Sequence, residues 1–211
     1  MNNYVYITAG LPDLTPDWRQ GNRTIEEYLE EVRELCSKKD NETLDFIDRG
    51  FNAETLDAEF YKEALKHKSR FIREFFLFDL CVRNAKVRYL NDKLGRDSEK
   101  DVVSLYEPSE NDIEEPEEPD FPEAERLQEI FAGEDILRRE RMTDDLYWDK
   151  IDEITLYNYM DFDAILGIVV KMHIINRWLK LDENTGREMF RKLVDEVRGT
   201  FKGVDYKSDN K

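Results

Sequence analysis

The run Phe71-Ile72-Arg73-Glu74-Phe75-Phe76-Leu77-Phe78-Asp79-Leu80-Cys81-Val82 carries apolar side chains at nearly every helical bearing, broken only by Arg73, Glu74 and Asp79. Phe71, Phe75, Phe78 and Val82 repeat at three- and four-residue steps, the spacing of a helix face turned to a core. The further apolar residues between them predict burial on several sides. Outward from this run nothing breaks a helix from Ala58 to Leu94, with no Pro and no Gly before Gly95. At 1.5 Å per residue, one helix over that span would be roughly 55 Å long. Phe60, Ala64, Ala85 and Tyr89 extend the same apolar stripe at its two ends.

Toward the N-terminus, Thr24-Ile25-Glu26-Glu27 reads as a capping box. It starts a helix over 25–37 whose apolar face is Ile25, Tyr28, Leu29, Val32, Leu35 and Cys36. Asp40 or Asn41 is expected to cap a short helix ending at Gly50, and Asn52–Asp57 to lead into the next. Tyr4-Val5-Tyr6-Ile7-Thr8 is β-branched and aromatic and stops at Gly10-Leu11-Pro12, which predicts a short extended segment.

Toward the C-terminus, 62–100 is basic, with eleven Lys and Arg against six acids. From Asp101 to Glu125 there is no basic residue and there are eleven acids, so this stretch holds −11 of the net −17. Glu107–Pro122 also has four of the six prolines. Proline opposes helix and like charges repel, which predicts a solvated connector. Pro122 suits the first turn of a helix over 123–132. Gly133 and Asp135 start another through Ile154, and Asp161 or Asp163 caps an apolar helix through Leu181. That helix continues or bends near Asp182–Gly186 into Glu188–Arg198. The expected fold is all-α: a long-helix bundle in two helical parts with one short N-terminal extended segment. Its parts are 1–100, an acidic Pro-containing linker 101–122, a second helical part 123–203 and a polar tail 204–211.

The acidic balance opposes binding to a phosphate backbone, so nucleic acid is not an expected partner. Twelve Phe, ten Tyr and three Trp supply core material that a disordered chain lacks. Phe71–Val82 and Ala164–Leu181 are the most apolar stretches. Both are too interrupted by charge for the ~20 mainly apolar residues of a membrane span. The N-terminus has no basic and apolar signal pattern. Cys36 and Cys81 sit in predicted helices and read as buried free thiols, which suits a reducing compartment.

Chemistry-bearing patterns are sparse. His67 and His173 are far apart and lack the paired Glu-x-x-His spacing of a di-iron bundle. No Cys pair at metal spacing, Gly-rich phosphate loop or Gly-x-Ser-x-Gly elbow occurs. Glu27, Glu30, Glu31 and Glu34 on one helix, with Asp145, Asp149 and Asp152 on another, could hold Mg²⁺ only by facing one cavity. On so acidic a chain a solvated face is the preferred reading of both. Arg138-Arg139-Glu140-Arg141 is a compact charged knot, read first as surface salt bridging and second as an anchor for an acidic partner. Tyr147, Trp148 and Trp178 read as core.

Several strings resemble a family of small helical proteins of unassigned biochemistry encoded among the genes of bacterial V-type ATPases. These proteins are similar to a shortened form of the V-type ATPase C subunit, which is the d subunit of the eukaryotic enzyme. The resembling residues are Asn3-Tyr4-Val5-Tyr6 with Ala9-Gly10-Leu11-Pro12-Asp13-Leu14, then Arg139-Glu140-Arg141 and Trp148. Phe162-Asp163 with Ile165-Leu166, Arg177-Trp178, Leu181-Asp182, Gly186 and Phe190 complete them. The resemblance implies a socket on the membrane rotor ring that receives the central shaft and does no chemistry of its own. It implies shaft and ring subunits as partners, no cofactor, and a cytoplasmic place against the inner face of the membrane. No catalytic, cofactor or metal residue is expected. The interface candidates are Tyr4, Tyr6, Leu11, Leu14, Arg138, Arg139 and Arg141. A helical adaptor unrelated to the ATPase and a Mg-dependent all-α nucleotide hydrolase are the alternatives.

Overall fold

A computed structural model describes residues 4–19, 21–104 and 121–180. Among these every regular element is an α-helix, with no strand. The helices are α1 (Tyr4–Gly10), α2 (Ile25–Leu35), α3 (Lys38–Phe51), α4 (Ala58–Leu65), α5 (Arg70–Lys93), α6 (Ala124–Ala132), α7 (Ile136–Thr155) and α8 (Phe162–Lys180). Residues 105–120 of the expected connector 101–122, and everything from Leu181 onward, lie outside the described residues. So do the Leu181-Asp182, Gly186 and Phe190 matches and the Glu188–Arg198 helix. One compact unit runs through His173, and Ile174–Lys180, the end of α8, belongs to a second.

Side-chain caps set most helix starts. Thr24 and Glu27 form the capping box of α2, with Glu27 N donating to Thr24 Oγ1 at 3.1 Å and Thr24 N to Glu27 Oε2 at 2.8 Å. The cap of α3 is Ser37 rather than Asp40 or Asn41. Asp40 is the third helical residue and completes a second capping box. Asp57 caps α4, Asp135 caps α7, and Asp161 Oδ1 accepts from Ala164 N at the start of α8.

Two expectations are corrected. Tyr4–Thr8 is not extended but forms the body of α1. Strand propensity describes fit to a pleated surface, and among the described residues no strand exists to pair with. The helix satisfies its own backbone and turns Ile7 into the core, 3% exposed. The span Ala58–Leu94 is likewise two helices, so α5 is about 36 Å long rather than 55 Å. Polar side chains end α4 without any Gly or Pro. Ser69 Oγ accepts from Ile72 N, His67 Nδ1 accepts from Ser69 N at 3.1 Å, and Arg73 Nη1 donates to the His67 carbonyl at 2.6 Å. Such local bonds give the backbone an alternative to the helical ladder. Burial, then the charges of Lys68 and Arg73, lowers the pKa of His67.

The core begins at the quoted run. Phe71, Ile72, Phe75, Phe76, Phe78, Leu80 and Val82 are all buried. Phe60 of α4 meets Phe76 edge-on at 4.8 Å and stacks on Phe46 of α3 at 4.8 Å. On the other side of α5, Phe78 and Val82 pack with Leu127, Ile130 and Phe131 of α6 and Leu146 of α7. The helices before and after the connector therefore share this core. Near its C-terminus α5 is capped by Leu94, and Gly95 takes φ +62, a left-handed conformation that glycine adopts without penalty.

Beyond Gly95 the chain turns back along α5. Asn84 accepts from Val103 N and donates to the Val103 carbonyl, both at 3.0 Å. Asn91, 5% exposed, donates to the carbonyls of Ser98 (3.2 Å) and Lys100 (2.6 Å). Arg88 forks onto Glu99 at 2.8 and 2.9 Å. These three residues share one face of α5 and fasten residues 98–103 as a strap. Asn91→Ala should release that strap, because it strands two carbonyls that a buried amide had satisfied. The expected loss is about 1–3 kcal/mol, read by hydrogen exchange as a selective rise in exchange over 98–103 with α5 itself still protected.

Candidate interaction surfaces

The seven sequence-predicted residues fall into two groups, one on and just after α1 and one on α7. Arg141 on α7 donates from Nη1 to the Pro16 carbonyl at 3.0 Å and from Nη2 to Asp17 Oδ1 at 2.6 Å. The charged knot thus ties down the segment that follows Leu14. Arg139 donates to the carbonyl of Phe131, closing the end of α6. Glu140 accepts from Lys86 Nζ of α5 at 2.7 Å. Arg138 is exposed, and its backbone N–H donates to Asp135. Tyr4 is half-buried, its ring 5.6 Å from that of Phe162 and its hydroxyl donating to Asp40 Oδ1 at 3.1 Å. Leu11 and Leu14 are also half-buried, whereas Tyr6 is 64% exposed.

Tyr6 and Leu11 line an open cleft of about 190 Å³ between α1 and α2. Ile7, Ala9 and Gly10 line it from α1, and Glu31, Val32 and Leu35 from α2. This is below the ~300–1,000 Å³ of a small-molecule pocket and suits a single large apolar side chain.

A second surface was not singled out from the sequence. The α7–α8 loop exposes Leu156 (51%), Tyr157 (86%), Tyr159 (71%) and Met160 (60%). Its backbone is anchored between them. Asn158 N donates to the Thr155 carbonyl at 2.8 Å, the Asn158 side chain bonds the Asp161 carboxylate, and Asp161 caps α8. The sequence signal was there: a bulky apolar run, Leu156-Tyr157-Asn158-Tyr159-Met160, directly between two helices.

Four of the seven carboxylates raised as metal ligands are engaged separately from one another. Glu31 pairs with Arg23 at 2.6 Å and Glu27 closes the α2 cap. Asp149 pairs with Arg126 at 3.2 Å and Asp152 with Lys171 at 2.5 Å. Among the described residues no three His, Cys, Asp or Glu side chains gather as a metal ligand set. His173 stacks on Phe51 at 4.6 Å with Nε2 3.0 Å from Asp48 Oδ1.

The most polar interior point is Asp79, inside the apolar run of α5 and 5% exposed. Its Oδ2 accepts from Tyr61 of α4 at 2.5 Å and from Arg83 Nε at 2.8 Å, and its Oδ1 accepts from Tyr147 of α7 at 2.8 Å. Burial, and then the Asp79 charge, pushes both phenols well above the ordinary tyrosine range. They stay protonated as donors, which makes the cluster a staple joining three helices. Trp148 is buried under Lys171, whose Nζ lies 4.6 Å from the ring centroid, while Tyr147 and Trp178 are half-buried. Cys36 and Cys81 form no disulfide and are half-buried rather than buried, and burial followed by Asp40 pushes the Cys36 thiol up to about 11. No described helix is long and apolar enough to cross a membrane.

Fold and surfaces together define an all-α helical protein with exposed apolar features set among locally paired charges. Residues 51–200 match the family described as "Protein of unknown function (DUF2764)", and the chain belongs to that family. The match takes in α4 to α8 and leaves α1, α2 and most of α3 outside it. No curated protein and no solved structure matches the chain.

Proposed function

We propose that this chain is a non-catalytic helical adaptor that works by docking onto another protein. The observation that carries the reading is the anchored α7–α8 loop, which holds Tyr157 and Tyr159 out in solvent at 86% and 71% exposure. Exposed aromatics on a fixed frame are the side chains that dominate binding energy at protein interfaces. The sequence resemblance to the V-type ATPase C subunit narrows the partner. It favours a coupling role at the cytoplasmic face of the membrane, between central shaft and rotor ring, with Tyr6 and Arg138 as further contacts.

The test compares the tagged full chain with its Tyr157→Ser/Tyr159→Ser variant in pulldowns from native cells. Both substitutions are at exposed positions, so stability should change by no more than about 0.5 kcal/mol each. V-type ATPase shaft or ring subunits should be recovered with the parent chain and lost with the variant. Loop-dependent recovery of other proteins alone would keep the adaptor and remove the ATPase. Recovery indifferent to the loop would overturn the assignment of the docking surface.

A further inference from the structure

Two contacts set the register of α5 against α7. Asp79 meets Tyr147 at 2.8 Å; seven residues further along α5, Lys86 meets Glu140, seven residues back along α7, at 2.7 Å. The two helices are therefore antiparallel, and one more turn on each brings Leu90 opposite Ile136. α6 ends at Ala132, with the Phe131 ring 5.5 Å from that of Tyr89. At this end of the helix pair Leu90, Leu94, Ile136 and Leu137 stand 47% to 66% exposed, so the apolar seam is open to solvent. Together the four side chains present on the order of 400 Å² of apolar surface. That is about the non-polar share of the ~800 Å² that each partner brings to a standard interface.

The charges around the seam balance. Lys86 pairs with Glu140, Arg88 with Glu99 and Arg141 with Asp17. Between Lys86 and Leu94, and between Gly133 and Arg141, that leaves Lys93, Arg138 and Arg139 against Asp92, Glu134 and Asp135. These are three of each sign, none in an ion pair among the described residues. A chain of net −17 repels its own copies as a whole. This end carries no excess charge, and a surface holding both signs can match its own rotated copy.

We infer that the seam at Leu90 and Ile136 is where a second copy of this chain docks, forming a two-fold dimer. The balanced rim favours a copy over a strongly charged partner, because an acidic or a basic surface would meet like charge on half of the rim. The α7–α8 loop follows the far end of α7, about 30 Å along that 20-residue helix from Ile136. The dimer therefore leaves both loops open and doubles the docking points that one assembly offers. The inference does not rest on the loop or on any ATPase partner, so either can fail without the other.

Sedimentation velocity on the full chain, in a series reaching about 200 µM, covers the micromolar affinities of an interface this size. The parent should dimerise. It should do so more tightly as salt rises from about 50 mM to about 300 mM, because screening removes the repulsion between two acidic copies and leaves the apolar contact. The double variant Leu90→Gln/Ile136→Gln keeps the charge unchanged and alters only exposed positions. It should weaken dimerisation at least about thirtyfold, as loss of a central contact does, with circular dichroism unchanged. Tyr157→Ser/Tyr159→Ser should dimerise as the parent does. A parent monomeric throughout, a dimer indifferent to the seam variant, or one that loosens as salt rises would overturn the inference. So would a dimer lost with the loop variant instead, or a seam that captures a different protein from lysate while the parent sediments as a monomer.

Discussion

Asp79→Ala is expected to lower the free energy of unfolding by about 2–6 kcal/mol, because two phenols that donate to its carboxylate are left without that acceptor, at about 1–3 kcal/mol each. Three donors lose their acceptor together: Tyr61, Tyr147 and Arg83. Their losses are unequal. The Arg83 side chain is 51% exposed, so water recovers most of its bonding. Tyr61 is 3% exposed, and its phenol would be left in an apolar setting with no acceptor. Asp79→Asn keeps an acceptor oxygen for one tyrosine and should cost less. Tyr61→Phe and Tyr147→Phe each remove a donor while leaving the carboxylate two others, at about 1 kcal/mol apiece. Urea unfolding of the four variants would rank them. A loss in Asp79→Ala no larger than the two Tyr→Phe losses combined would mean that the three helices are not stapled there.

The second large effect is at Gly50. A Cβ placed there would stand 2.4 Å from both Cε1 and Cζ of Phe76 and 2.9 Å from Cζ of Phe60. Both rings are 1% exposed and hold each other edge-on, so neither has room to retreat. Alanine would gain about 1 kcal/mol of helix propensity over glycine. Overpacking a filled core costs about 1–3 kcal/mol, which leaves Gly50→Ala a net loss of up to about 2 kcal/mol. Gly50→Val adds two methyl groups and gives back part of the propensity gain, so its loss should be about 3 kcal/mol or more. Thermal unfolding would show it as a lowered Tm. A valine variant as stable as the parent would show that α3 can move off the Phe60–Phe76 pair.

Where the sequence could be read, it was because local chemistry agreed with the tertiary environment. The Thr24–Glu27 box, the Asp135 and Asp161 starts and the stop at Gly95 depend on neighbours within a few residues, and each stands where expected. The apolar steps at Phe71, Phe75, Phe78 and Val82 translated directly into burial. The failures share the opposite property. Tyr4–Thr8 has strand-forming side chains, but strand formation needs a partner elsewhere in the chain. The break after Leu65 is written in Ser69, His67 and Arg73, whose bonds to backbone compete with the helix without any proline or glycine. For the surfaces, Tyr6 and Leu11 are interface candidates through the N-terminal resemblance, and both line the α1–α2 cleft. The cleft itself depends on α1 lying against α2, which no local pattern encodes. Arg139 and Arg141 were flagged as charged and turned out to hold Phe131, Pro16 and Asp17 in place.

The anchoring of the α7–α8 loop has a consequence for entropy. Six residues, 156–161, join two helices that approach closely enough for a Cβ on Gly167 to fall 2.9 Å from Thr155 Cγ2. Their backbone is held at Asn158 and Asp161. Fixing a free residue costs roughly 1–2 kcal/mol, and association that must order a loop forfeits that much of its gross contact energy. Here most of that ordering is already complete on folding. A protein that seats on Tyr157 and Tyr159 would give up little beyond their side-chain rotamer freedom, so even a small contact area could hold it.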